Sequence, residues 1–312
     1  MRAAVLMLVV AVAVVLALVY PPSDINILCR ATTAELYTPA TRGFFYAPWA
    51  LPLLAPCALS LRAAWVWLNA LGAIATITGL YALGVSPVHA LLALAWFPVA
   101  HVWTLGQWDL LITAALLWAA WALQERRWQV AGLSLLVLTT KPVNVLPALL
   151  YILAVAPPTE VLLPTGVGLL LSLLAGAWPL RYLAMLGQYP PIQITGVTLR
   201  SGVRVAFQPL QWPPALLIGA GYLTGRRVLA DPWRALALAG ALGLLLSPHV
   251  HSNHMVTLIP ALAWLLTHSR RAGLLLAAVF ALAPLVWLLS GWSFPLAALP
   301  LVAAAAITLV EV

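Results

Sequence analysis

The sequence predicts an all-α, polytopic membrane protein: a bundle of about twelve transmembrane helices with an outer juxtamembrane helical loop. Three observations predict it. Of 312 residues, 64% are hydrophobic and 7% charged, where a soluble domain carries about 25% charged residues. Most of the chain is apolar runs near the ~20 residues that cross a bilayer as a helix. The two-residue alternation of a membrane β-barrel is absent from the sequence. No separate soluble domain is expected. The net charge of +8 is no nucleic-acid signal, because the basic residues are dispersed and sit mainly in loops, where they orient the chain.

Residues 1–20 form the first span. Arg2 precedes an unbroken apolar run longer than the ~7–15-residue core of a cleaved signal peptide. Residues 21–61 form an outer loop, the first long polar interval. Ser23 and Asp24 are good helix N-caps and predict a short amphipathic surface helix over 25–36. Pro48, Pro52 and Pro56 remove backbone donors at every turn. The stretch 44–60 is therefore expected to be a surface or re-entrant segment, not a span.

Residues 62–180 carry expected spans near 62–84, 88–105, 110–124, 128–140, 143–156 and 160–180. The 128–140 and 143–156 segments are short for spans and suit half-helices on either side of Lys141. Residues 181–207 make a second outer loop. Residues 208–312 hold C-terminal spans near 208–224, 234–248, 255–267, 272–290 and 293–310. Arg126–Arg127, Arg226–Arg227 and Arg270–Arg271 lie in short loops, and short-loop arginines favour the cytoplasm. An even number of spans separates the pairs, so all three fall on one side, with both chain termini. The expected location is the plasma membrane, with the polar loops facing the extracytoplasmic side.

The polar residues on that outer face are the chemical candidates, because such groups cluster at membrane depth when they face a cavity or a partner. Asp24 is positioned to take a proton from a hydroxyl nucleophile; an N-cap role explains it equally well. Thr32 and Glu35 have capping-box spacing. Gln107 and Asp109 interrupt two apolar runs and could bind sugar hydroxyls. The alternative is a cap for the 110–124 helix, with Trp108 in the interfacial belt. Lys141 stands between apolar segments, where an unpaired cation is costly; it suits a bound phosphate, or else it snorkels to the surface. His249, His251 and His254 could bind zinc. With no carboxylate or Cys among them, a phosphate- or hydroxyl-binding cluster fits better, and no metal is expected. Arg200 and Arg204 add cations to the second outer loop. Cys29 and Cys57 could pair in an oxidising compartment, but Cys57, within LLAPCALS, is read as a small core residue.

Several of these pieces together resemble one family. Asp24, then Leu36-Tyr37-Thr38-Pro39, then Phe45-Tyr46-Ala47-Pro48 are similar to the D…LY.P…F.YPP pattern of glycosyltransferase family 87. Gly106-Gln107, Glu125-Arg126-Arg127, Ala131-Gly132 and Lys141-Pro142 resemble its GQ…R…AG…KP stretch. Ser247-Pro248 with Asn253-His254 resembles its SP…HH segment. Ala47 departs from the first proline of YPP, and Asn253 from the first histidine of the pair.

The resemblance implies a GT-C-type bundle and a mannosyltransferase-like activity. A hexose would pass from a polyprenyl-phosphate donor to the hydroxyl of a lipid or glycan acceptor, with inversion and no cofactor. It implies Asp24 as general base. Tyr46, Gln107, Asp109, Lys141, Arg200, Arg204, His251 and His254 are the substrate-binding candidates. The rival classes are a transporter, which calls for internal repeats with broken helices in matching halves, and an inactive subunit of the same fold, which would not need Asp24.

Overall fold

The computed structural model describes residues 1–20, 25–32, 46–173, 178–187, 229–246 and 252–290, with 305, 306, 308 and 310. Every regular element among them is helical, and the fold is all-α. Among the described residues, two helices are long and apolar enough to cross a membrane, Arg2–Val19 and Leu61–Ala82, or three spans if the bent pair Pro87–Leu94 and Phe97–Leu105 counts as one.

Helix α1 (Arg2–Val19) and helix α3 (Leu61–Ala82) run antiparallel and are pinned at both ends. The Arg62 guanidinium donates to the carbonyls of Ala17 and Tyr20, oxygens that a helix end leaves without partners. At the other end the Tyr81 hydroxyl donates to the Arg2 carbonyl at 3.2 Å. Ser60 caps α3 by accepting from the Ala63 amide at 3.0 Å.

Between these helices in the chain, residues 25–32 and 46–60 are described. Helix α2 (Ile25–Arg30) buries Ile25, Leu28 and Cys29. It is shorter than the expected 25–36 helix, whose last residues lie outside those described, as does Glu35. The Thr32 hydroxyl donates back to the Cys29 carbonyl at 2.8 Å. Pro48–Ala58 is a 3-10 helix with Pro52 and Pro56 inside it. The reading of Cys57 as a small core residue is corrected: Cys29 and Cys57 form a disulfide with Cα atoms 5.4 Å apart, tying α2 to the 3-10 segment.

The expected span 88–105 is not one continuous helix. It is two helices, α4 (Pro87–Leu94) and α5 (Phe97–Leu105), bent by 66°. Pro98 sits in the first turn of α5, where it is tolerated, and it disfavours helical backbone just before it.

Helix α6 (Asp109–Gln124) packs parallel to α3. A Cβ on Gly72 would lie 3.0 Å from Leu110 Cβ, and one on Gly79 would lie 3.0 Å from Leu117 Cβ. Two glycines one heptad apart thus let two leucines with the same spacing come close. Helix α7 (Trp128–Leu138) returns beside α6, a 3-10 turn covers Pro142–Asn144, and α8 (Leu146–Val155) runs back. Helices α9 (Pro158–Ser172) and α10 (Trp178–Gly187) follow.

Helix α11 (Pro232–Leu246) starts with an Asp-Pro cap: Asp231 Oδ1 accepts the Trp233 amide at 3.0 Å. A 3-10 segment over Ser252–Leu258 leads into α12 (Ile259–His268), and α13 (Arg270–Ser290) doubles back along it. The two spans expected at 208–224 and 293–310 fall wholly or largely outside the described residues.

One end of the bundle is basic. Gln124 donates to Asp231 Oδ1 at 3.4 Å, and Trp264 Nε1 donates to Asp231 Oδ2 at 2.9 Å. These contacts bring the Arg126–Arg127 turn to the same end as Arg270–Arg271. Because α3 runs parallel to α6, Arg2 lies at that end too. The disulfide lies at the opposite end, near Arg62.

Candidate functional site

A polar cluster forms where α6 begins. Gly106 ends α5 with φ 70°, in the left-handed region that favours glycine. The position is also crowded: a Cβ there would lie 3.0 Å from Trp65 Cδ1 and 3.1 Å from Ile25 Cβ. Turn and packing together need glycine, and the turn delivers Gln107, Trp108 and Asp109 into the interior.

Asp109 is the hub. It is 1% exposed. Lys141 Nζ donates to its Oδ1 at 2.7 Å, and Asn253 Nδ2 donates to its Oδ2 at 2.8 Å. His254 Nε2 stands 3.9 Å from Oδ1. The cap reading of Asp109 is corrected, because Trp108 is the N-cap of α6 and no side chain caps it. The Lys141 argument is corrected as well. The expected anionic partner is supplied by the protein itself, which resolves the cost of a lone cation in an apolar bundle.

Tyr46 closes one side. Its hydroxyl donates to Gln107 Oε1 at 2.7 Å. Its ring lies edge-on to Trp108 at 4.2 Å between centroids, and Lys141 Nζ is 5.5 Å from the ring centre, within cation–π range. Trp108 is therefore not an interfacial anchor; it is 1% exposed and walls the site. The Ala47 amide donates to the Thr140 carbonyl at 3.3 Å, and Trp49 Nε1 donates to the Leu136 carbonyl at 3.1 Å. The 3-10 segment is thereby stitched to the end of α7 that carries Lys141. On the far side α11 presses on the Lys141–Asn144 turn: a Cβ on Gly243 would fall 1.9 Å from the Asn144 carbonyl oxygen.

The structure thus brings together Tyr46, Gln107, Asp109, Lys141 and His254 of the expected site residues. Asp24, Arg200, Arg204 and His251 lie outside the described residues. Asn253 and Trp108 are members that the residue pattern did not single out as site groups. Among the described residues, no group of three or more His, Cys, Asp and Glu could hold a metal ion. Set against known proteins, the chain matches no family model, no curated protein and no solved structure.

Proposed function

We propose that this chain is an integral-membrane glycosyltransferase of the polyprenyl-phosphate-hexose-dependent type, built as a GT-C-like bundle of about twelve spans. The observation that carries the reading is the convergence of its motif residues. Tyr46, Gln107, Lys141, Asn253 and His254 come from the separate stretches that resemble glycosyltransferase family 87, and they meet around Asp109. Ile25, the residue after Asp24 in the sequence, packs beside Gly106.

In this reading Asp24 takes the proton of the acceptor hydroxyl. The hydroxyl oxygen attacks the anomeric carbon from the face opposite the phosphate, and the bond from that carbon to the phosphate oxygen breaks. The electron pair leaves with the polyprenyl phosphate, and the configuration inverts. Lys141, His254, Arg200 and Arg204 are the groups that could stabilise the leaving phosphate. Tyr46 and Gln107 are assigned to substrate binding. The site faces the extracytoplasmic side of the plasma membrane. A disulfide suits an oxidising compartment, and the arginine-rich end suits the cytoplasm. Both termini are then cytoplasmic.

The test is sugar transfer by purified protein in liposomes from a polyprenyl-phosphate hexose to lipid or glycan acceptors. Asp24→Asn should lower transfer by at least ~10²-fold with thermal stability retained. A stable Asp24→Asn protein with near wild-type transfer would remove the mechanism. The breaks between α4 and α5 and around Lys141 would also suit a transporter. Flux of a lipid-linked sugar across the bilayer without transfer would favour that alternative.

A further inference from the structure

Asp109 joins three distant parts of the chain through one side chain. Oδ1 takes Lys141 Nζ at 2.7 Å and Oδ2 takes Asn253 Nδ2 at 2.8 Å, while His254 Nε2 stands 3.9 Å from Oδ1. Both carboxylate oxygens are committed and the residue is buried, which leaves it poorly placed to meet a sugar hydroxyl. Of its partners, Lys141 keeps 13% of its side chain exposed, while Asn253 is buried at 3%. An ammonium has three donors and a side-chain amide two. Among the described residues, the groups at Lys141 Nζ are Asp109 and the Tyr46 ring.

We infer that Asp109 is a positioning residue: it holds Lys141 and Asn253 as a preset pair of donors for an oxyanion, and the oxyanion is a phosphate. Lysine has a long, flexible stem, and ordering it on binding costs side-chain entropy. Held beforehand by Asp109, it presents its remaining hydrogens without that cost. Asn253 is held by the same carboxylate and offers its second N–H at a fixed distance from Lys141. The lipid part of the ligand rests on the glycosyltransferase reading, but the anion part does not.

The test measures apparent affinity from the ligand-induced rise in thermal stability, using undecaprenyl phosphate and, separately, inorganic phosphate. The proteins are wild type, Asp109→Asn, Lys141→Met and the double variant. Asp109→Asn should weaken phosphate binding by about tenfold or more. The same change should cost clearly less in the Lys141→Met background, where Asp109 has only Asn253 left to hold, since residues acting through one another are non-additive. Wild-type affinity in a folded Asp109→Asn protein would overturn the inference. So would a full, additive loss in the Lys141→Met background. Should Asp109→Asn fail to fold, Asn253→Ala carries the test, because it leaves the ion pair whole and removes one of the paired donors: about tenfold weaker binding supports the pair, and unchanged binding overturns it. Binding of inorganic phosphate without the lipid phosphate would discard the glycosyltransferase reading, and the same variants would still judge the anion site. Binding of neither ligand would discard both.

Discussion

Replacing Cys29 and Cys57 together by serine removes a cross-link that spans 28 positions of chain. The chain-entropy model of disulfides assigns roughly 3.6 kcal/mol to closing a loop of that size. With the unfolding entropy per residue of globular proteins, a 312-residue chain should lose about 5 °C in Tm. The effect should also reach the site. The disulfide anchors the Pro48–Ala58 segment, and Tyr46, just ahead of that segment, donates to Gln107. The assay is thermal unfolding in detergent of wild type with and without reductant, beside the double serine variant. A membrane-impermeant maleimide added to intact cells supplies the second readout. It should label neither thiol before reduction and should label them from outside afterwards. Thiols that react without reductant, or a double variant that melts with wild type, would refute the pairing. Labelling from the cytoplasmic side alone would refute the orientation.

Three further outcomes are expected. Lys141→Met leaves Asp109 buried without its cation and should cost about 3–5 kcal/mol; adding Asp109→Asn should recover most of that, as read by thermal unfolding. Gly243→Ala places a Cβ 1.9 Å from the Asn144 carbonyl oxygen. It should cost at least ~3 kcal/mol or abolish folded protein, measured by yield and melting of the purified variant. Arg126→Cys should be labelled by a maleimide only when the reagent reaches the cytoplasm, since that turn shares the basic end of the bundle with Arg270–Arg271.

Much of the helical outline is legible in the residue pattern, because apolar run length and proline placement act locally. The α3 helix begins one residue from its expected start, and the proline-rich stretch after Ala47 is a 3-10 helix. The break between α4 and α5 is not legible. Pro98 signals a boundary, but the hydropathy of 88–105 is continuous across it. Pairings are harder still. Charge cost says that Lys141 needs an anion; nothing local says that the anion is Asp109, 32 positions away. The cysteines are read by their own surroundings, and Cys57 lies among apolar residues. Its partner is determined by how α2 folds back on the 3-10 segment. Trp108 follows the same logic: a tryptophan between a polar Gln and Asp suits a membrane interface, and only the position of Tyr46 makes it a buried wall.

The length of α6 has a consequence for where chemistry can occur. Its 16 residues span about 24 Å, short of the ~30 Å hydrocarbon core of a bilayer. Leu110 meets Gly72, which lies about 16 Å along the axis of α3 from Leu61. In a membrane, the mouth of α6 would thus be recessed well below the level where α3 begins. The space above it is left to a glycine turn, a proline-broken segment and a disulfide-bound loop. A helix too short to cross alone thereby starts about halfway along its neighbour α3.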